Sequence, residues 1–584
     1  MLVEKTKDMV MVRGIGVGGT TTLATGNAVR CDGAVRALGI DLDEQFAELS
    51  RELPITTEHQ QHWTETTWTM FRLFEQMGVD PVVTPKLMRA AKCVECGHCA
   101  IGCPTGAKWD TRALTKEAVQ KGAVLVTDCR VTALDIENGQ VKAVHARRHG
   151  KREIYQADLV VLAAGGLRKD LVEALRALHP KFLRFPGGCV VEGTYVRSNA
   201  YDWKQSVGDP AGRREIPNTW GGMQTMGVGF YEYFCLCEEI GALPVPVVHA
   251  GLLCQARDPK GLPLTMEETE QYARDILDLI DFAQGDEGTE WGRVRIQMGH
   301  PEPFDLRYLA IGNENWGAAY FGRYELLSKA VKEKHPDITC IVAAGPVAEG
   351  SLIQDSWNQI RRRFADDLVD EHYYMDSSWF PAHVNRYDRY PRTTKVFLGE
   401  FAAHEPVQGS RRPGNLYAAL CEAAYLTGIE RNSDLVEMCC YAPLLCREGE
   451  VDWTPDLIWF NDEQVYGTPS YYVQQMFSQA CGTELVASET DGNLFHAATR
   501  TDSELQIKIV NLSDAALQLS LLLPGVPDQE SSGQVLTGEK THVNSFARPD
   551  KVAPKSVQTV CFGGQAETEL PPWSLTVLNI SLEK

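Results

Sequence analysis

Two glutamates in this sequence stand where a chain rarely leaves a charge. Residues 308–317 read YLAIGNENWG and residues 395–404 read KVFLGEFAAH. In each, a short apolar run meets one glycine and then an acid, Glu314 in the first and Glu400 in the second. Such a run predicts a short buried strand, and a carboxylate at its C-terminal end costs several kcal/mol to desolvate unless it is paired or used. Two acids in matching contexts suit acid–base work on one substrate, one carboxyl giving a proton while its partner acts as a carboxylate. For either glutamate alone, the competing reading is an ordinary strand-end or helix-capping charge.

A second set of reactive residues lies nearer the N-terminus. Cys93, Cys96, Cys99 and Cys103, followed by Pro104, make C-x2-C-x2-C-x3-C-P, the spacing by which thiolates wrap an iron–sulfur cluster. In two-cluster ferredoxins the fourth cysteine of such a run serves the other cluster, and the sequence holds no second run. Zinc on the same thiolates is the rival reading. Upstream, Gly14, Gly16, Gly18 and Gly19 in RGIGVGGTTT form a glycine-rich stretch able to bring backbone N–H groups to a phosphate, or simply a turn.

The elements that must position the two glutamates alternate. From residue 167 an amphipathic helix carries Leu171, Val172, Leu175 and Leu178 on one face, and a strand follows from Phe182. Helices are then expected at 224–241, 266–284, 321–335, 355–367 and 415–428, and strands near 244–250, 308–313, 338–344, 368–374, 395–400 and 435–441. Repeated units of this kind imply a parallel sheet, and this many favour an α/β fold of the TIM-type (β/α)8 barrel, whose chemistry sits on one rim. Seven strands count from Phe182; if Phe182 opens the second, Glu314 ends the fourth and Glu400 the seventh. From about residue 484 the text turns polar and strand-like (LQIKIVNL, LQLSLLL, SLTVLNISL), which predicts a C-terminal β-sandwich. Residues 42–77 read as polar helix, and residues 122–166 as strand-rich with a hairpin turn at Asn138-Gly139.

Composition narrows the partners. With 584 residues the chain has room for about three to four domains, read as 1–166, 167–482 and 483–584. A net charge of -21 argues against a nucleic-acid partner, which draws its affinity from clustered Lys and Arg. No apolar run approaches the roughly 20 residues that span a bilayer, and MLVEKTKDMVMV lacks the apolar core of a signal peptide. Seventeen cysteines, several of them in apolar runs (Cys235, Cys237, Cys340, Cys439, Cys440), read as reduced core residues of a cytoplasmic protein without a disulfide framework.

Residues 9–166 resemble the glucose-methanol-choline (GMC) family of flavin oxidoreductases, on the RGIGVGGTT loop, the C-x-x-C-G-x-C-x-x-G-C-P-x-G-A-K run and the closing VVLAAGG strand. That resemblance implies FAD. The strand and G-x-G-x-x-G turn that seat the FAD pyrophosphate in such enzymes do not precede it, and neither their substrate domain nor their C-terminal histidine follows.

Residues 167–584 look like a family 51 glycoside hydrolase, an α-L-arabinofuranosidase, on LRKDLVEALRALHPKFLRFPGGC, IGNENWG, DEHYY at 370–374, FLGEFAAH and TPSYYVQQMFS at 468–478. The resemblance implies a retaining hydrolase of arabinose-containing poly- and oligosaccharides that needs no cofactor. Glu314 would be its general acid/base and Glu400 its nucleophile. Asn313 would hydrogen-bond the sugar 2-hydroxyl, and Arg184 would orient the nucleophile, with a buried structural ion pair as the alternative. Cys189 would line the sugar pocket or serve only as a packed thiol. Tyr374 would donate to the nucleophile or merely pack, His372 would share its strand face, and Trp316 would offer a sugar platform or a wall. Family members commonly assemble, which leaves a homo-oligomer open. The family's first barrel strand has no counterpart here, so the barrel is expected to lack its own first strand unless 160–163 takes that place. Two other functions compete: an oxidoreductase fragment with an iron–sulfur or zinc cluster, and a carbohydrate-binding protein without turnover.

Overall fold

The structure, a computed structural model, describes residues 2–5, 10–13, 26–30, 36, 41–96, 98–101, 103–126, 129–137, 140–148, 151–157, 160, 168–194, 196–220, 223–258, 263–404, 414–449 and 453–582. Two units divide the chain, 1–161 and 162–584.

In the N-terminal unit the stretch read as polar helix holds two helices, Asp43–Glu52 and Glu65–Gln76. A three-stranded antiparallel sheet follows, Cys129–Glu137, Gln140–Arg148 and Lys151–Tyr155. Glu137 pairs with Gln140, so the chain reverses across the Asn138-Gly139 dipeptide, as a hairpin signal of that type demands. The dipeptide itself, the glycines Gly14, Gly16, Gly18 and Gly19, and most of the 160–163 strand candidate lie outside the described residues.

The second unit begins with helix α1 (Lys169–Ala177) and strand β1 (Phe182–Phe185). Strand and helix then alternate: α2 (Phe230–Ile240), β2 (Leu243–Val248), α3 (Met266–Gln284), β3 (Tyr308–Ile311), α4 (Gly317–Lys334), β4 (Thr339–Ala343), α5 (Ser351–Arg363), β5 (Leu368–Asp376), β6 (Val396–His404), α6 (Leu416–Arg431), β7 (Val436–Tyr441) and α7 (Pro469–Gln479). Helix α3 shows why the sequence folds so. Thr265 and Glu268 close a capping box at its start, and Ala273, Ile276, Leu279, Ile280 and Ala283 recur at helical spacing on its buried face.

The seven strands form one parallel sheet in the order β7-β6-β5-β4-β3-β2-β1, the curled arrangement of a TIM-type barrel. Among the described residues β1 pairs with β2 alone and β7 with β6 alone. Alternate side chains, among them Val245 and Val247 of β2, Ala310 of β3, Ile341 of β4, Leu368 of β5 and Phe397 of β6, fill the interior. Opposite faces of the same strands pack on the helices in the main core.

Strand β6 was expected to end at Glu400, yet it continues to His404. Its neighbour β5 reaches Asp376, and the pair runs on past a register shift between Glu371 and His372. That irregularity places His372 directly opposite Glu400, the re-aiming of side chains for which such bulges are known. Behind the barrel lies an eight-stranded antiparallel sheet of residues 484–581, which holds all three strand-like runs read from the sequence and its own core around Leu505, Ile507, Leu570 and Leu578.

Candidate active site

The two glutamates meet. A carboxylate oxygen of Glu314, one of Glu400 and a ring nitrogen of His372 all lie within 4.8 Å of one another. Glu314 follows β3 by three residues and takes φ = +53°, a left-handed conformation that a side chain adopts only where its surroundings fix it. The glycines of the two motifs are structural requirements. A Cβ on Gly312 would lie 2.3 Å from Asn315 Oδ1, and one on Gly399 would lie 2.1 Å from Asp370 Oδ1. Each glycine therefore lets a polar side chain close in beside its glutamate.

Hydrogen bonds give each carboxylate its own partners. Glu400 accepts from Arg184 Nη1 at 2.9 Å and from the Tyr374 hydroxyl at 2.8 Å. Glu314 Oε1 lies 3.0 Å from His372 Nδ1. Arg184 also donates through Nη2 to Asn313 Oδ1 at 2.7 Å, and the same nitrogen lies 3.6 Å from Asp370 Oδ2. His372 Nε2 reaches Asp370 Oδ2 at 3.2 Å, an ion-pair contact whose angle falls short of a hydrogen bond.

Charge explains how these buried groups are held. Burial opposes a charged His372, but Glu400 and Asp370 beside it outweigh burial and raise its pKa to about 10. That balance favours the charged ring, which lies within hydrogen-bond distance of Glu314, and the trio reads as an acid–base site. Arg184 is also pulled down by burial and raised overall by Glu400 and Asp370. Burial, then the charges of Glu400 and Glu314, push the Tyr374 hydroxyl well above its ordinary range, so it stays a donor.

A cavity of about 1200 Å³ opens over Asn313, Glu314 and Glu400, with Arg184, Cys189 and Tyr374 in its wall. His372 is buried behind the carboxylates. Trp316 is not among the cavity's lining residues; its backbone N–H donates to Gln255 Oε1 at 3.0 Å and its C=O accepts from Gln255 Nε2 at 3.2 Å. Asp370 was missed in the sequence, although it shares the strand face of His372 and Tyr374 at a period of two. Glu192 was missed as well: it is fully buried, its Oε2 has no hydrogen-bond partner, and burial followed by the Cys254 charge raises it well above the usual carboxylate range. Trp220 and Trp453 come from loops to meet at the cavity wall with ring centroids 5.4 Å apart, and loops carry no periodicity that would have marked them.

The four cysteines of the N-terminal run are free, with Cys96 exposed. Burial raises the Cys103 thiol, but hydrogen bonds from the Lys108 N–H and the Thr105 hydroxyl prevail and bring it to about 7. A four-sulfur zinc tetrahedron needs sulfurs about 3.8 Å apart. No three ligand atoms of this run come within 4.8 Å of one another, so the loop as arranged does not fit zinc.

Comparison with known proteins places this geometry. Residues 174–392 match the α-L-arabinofuranosidase 1 domain, residues 399–574 the α-L-arabinofuranosidase C-terminal domain, and residues 2–172 the GMC oxidoreductase model. An extracellular exo-α-L-arabinofuranosidase of Streptomyces chartreusis is 41% identical over 341 residues, 56% of this chain and 39% of that protein. α-L-Arabinofuranosidase 1 of Arabidopsis thaliana is 34% identical over 72% of this chain and 61% of its own length. The chain thus spans less than two thirds of the length of each of these relatives. Among solved structures, arabinose-bound MgGH51 α-L-arabinofuranosidase superposes with a TM-score of 0.65 at 26% identity, over 78% of this chain and 81% of that one. The Thermotoga maritima α-L-arabinofuranosidase shares the fold, with a TM-score of 0.60 at 20% identity over 71% and 90% of the two chains. Two arabinofuranosidase domains matched in order, on a barrel whose paired glutamates converge, assign residues 174–574 to the family 51 α-L-arabinofuranosidases, preceded by a segment of GMC oxidoreductase type.

Proposed function

We propose that residues 167–584 form a retaining glycoside hydrolase that releases terminal α-L-arabinofuranosyl groups from arabinose-containing poly- and oligosaccharides. One observation carries the reading: Glu314 and Glu400 present oxygens within 4.8 Å of each other. Retaining enzymes hold their carboxyl groups about 5 to 5.5 Å apart, whereas inverting ones need about 6.5 to 9.5 Å to admit a water.

The chemistry follows from the partners of each acid. Arg184 and Tyr374 fix Glu400 so that its carboxylate attacks the anomeric carbon, forming the glycosyl–enzyme bond as the bond to the leaving oxygen breaks. Glu314 supplies the proton to that oxygen, then takes one from the water that attacks the intermediate. Asn313, oriented by Arg184, offers its amide to a sugar hydroxyl, where contacts strengthen as the oxocarbenium ion forms. Trp220 and Trp453, set edge to face at 67°, give the chain being trimmed an apolar corner in the cavity wall.

Release of p-nitrophenol from its α-L-arabinofuranoside tests the proposal. Wild type is expected to turn over, and Glu400→Ala to lose on the order of a thousandfold or more of kcat. Sugar binding without turnover in the wild type would favour the non-catalytic carbohydrate-binding alternative.

A second reading attaches to the N-terminal unit, supported by the GMC match of residues 2–172. Cys93, Cys96, Cys99 and Cys103 would hold an iron–sulfur cluster there, a group that supplies one-electron transfer. FAD would belong to the same reading through Gly14, Gly16, Gly18 and Gly19, which lie outside the described residues. Iron analysis and a visible spectrum of the purified protein test both. A cytoplasmic setting completes the proposal on the strength of the free thiols. Among the described residues no helix is long and apolar enough to cross a membrane.

A further inference from the structure

A pair of thiols lies under the sugar cavity. Cys189, in the cavity wall, opens the short turn Cys189–Glu192, and Cys254 sits in the loop after β2. Their sulfurs are 2.8 Å apart and both residues are buried. Gly193 N–H donates to the Cys189 C=O and Cys254 N–H to the Gly193 C=O, each at 3.0 Å, so the two main chains are already held in register. A covalent S–S bond measures about 2.05 Å, and closure asks the sulfurs to move by roughly 0.7 Å.

The pair is wired to the proton donor. Gln255, next in sequence to Cys254, accepts from Asn315 Nδ2 at 3.1 Å and from the Trp316 N–H at 3.0 Å. Those bonds pin the turn that follows Glu314. Across the cavity, Gly188 precedes Cys189 and packs toward Glu400, whose Oε1 would lie 3.9 Å from a Cβ there. A shift of either cysteine is thus passed to one of the two carboxylates.

We infer that Cys189 and Cys254 close a reversible disulfide when a hydroperoxide enters through the sugar cavity, and that closure switches hydrolysis off. The sulfur of Cys189, a residue of the cavity wall, attacks the peroxide. The O–O bond breaks, the sulfur becomes a sulfenic acid and the second oxygen leaves as water or alcohol. The Cys254 sulfur then attacks that sulfenic sulfur; the S–S bond forms, the S–O bond breaks, and hydroxide leaves to take up the thiol proton as water. Two thiols are oxidised by two electrons and one peroxide is reduced. Hydrogen bonding between the two holds Cys254 below its ordinary value and, with burial, Cys189 above its own, so Cys254 is the nearby base that takes the Cys189 proton when Cys189 reacts. Closure removes the Cys189 S–H from the pocket and tugs on Gln255. A misplacement of about 1 Å in reacting geometry can cost on the order of 100-fold in rate.

The switch rests on the hydrolase reading; the cross-link does not. Full-length protein is reduced with dithiothreitol, freed of it, exposed to hydrogen peroxide, alkylated in denaturant and digested. The expected product joins the Cys189 and Cys254 peptides and disappears on renewed reduction. Arabinofuranoside hydrolysis is expected to fall about 10- to 100-fold on oxidation and to return with dithiothreitol, while Cys254→Ser, or Cys254→Ala should serine fail to fold, resists peroxide. Recovery of both cysteines in alkylated form, or Cys189 carried to sulfinic acid without a partner, overturns the disulfide. A cross-link that leaves turnover unchanged overturns the switch. No hydrolysis in the reduced protein overturns the hydrolase reading and the switch with it, with the cross-link still decided by mass.

Discussion

Arg184 Nη1 donates to Glu400 Oε1 across 2.9 Å, although β1 and β6 are not neighbours in the sheet. The bond crosses the barrel interior and ties the first strand to the strand that bears Glu400. Arg184 also holds Asn313 and approaches Asp370, both of them buried. Removal of this cation leaves Glu314, Asp370 and Glu400 with only the His372 ring to offset their charge. Arg184→Ala is expected to cost about 3 to 5 kcal/mol of stability, as breaking a buried pair does, together with most of the turnover. Urea denaturation checks the first part, and a loss under ~1 kcal/mol would mean that the cluster does not depend on the guanidinium.

Tyr374 offers a finer cut. Tyr374→Phe removes only the hydroxyl that donates to Glu400 at 2.8 Å and keeps the ring against Trp453. A hydrogen bond to a charged group contributes about 1.5 to 3 kcal/mol, so kcat/KM should fall by roughly 10- to 100-fold. The melting temperature should fall by no more than several degrees. Unchanged kinetics would reduce Tyr374 to packing.

The pH dependence of stability has a readable sign at His372. Its folded pKa, about 10, lies above an unfolded value near 6.5. The folded state therefore binds the extra proton, and the resulting stability is fully present below about pH 6.5 and drains away as pH climbs toward 10. Denaturation curves at pH 7 and pH 10 should show the loss in the wild type and a flatter response in His372→Gln. Equal slopes in the two proteins would show that other groups dominate this window.

The motif glycines make a steric prediction. Gly399→Ala would drive a methyl to 2.1 Å from Asp370 Oδ1, and Gly312→Ala one to 2.3 Å from Asn315 Oδ1 at φ = +90°. Both are expected to destabilise the barrel by about 1 to 3 kcal/mol, the range for overpacking, and to lower kcat by displacing the neighbouring glutamates. Gly322→Ala on α4, where a Cβ meets nothing within 4 Å, is the control and should be neutral or mildly stabilising.

Much of this was legible in the text of the chain because local signals and tertiary roles agree. Helix α3 falls at 266–284 as read, since its capping box and its apolar period both lie in sequence. The apolar runs ending in Gly312 and Gly399 announced Glu314 and Glu400. What sequence hid was pairing at a distance. Cys189 and Cys254 are 65 positions apart and nothing local joins them. Glu400 was read as a strand's last residue, but the extension of β6 to His404 depends on partners in β5 beyond the register shift, which no period within either strand reveals. Trp316 was read as a sugar platform or a wall; Gln255 clasps its backbone, and it is not among the residues lining the cavity.

The most direct test of the paired-carboxylate account is the configuration of the first sugar released. Hydrolysis of p-nitrophenyl α-L-arabinofuranoside, followed by proton NMR from the first minutes, should show α-L-arabinofuranose before mutarotation, because two inversions through Glu400 restore the starting configuration. The β anomer appearing first would contradict a covalent role for Glu400 and the double displacement built on it.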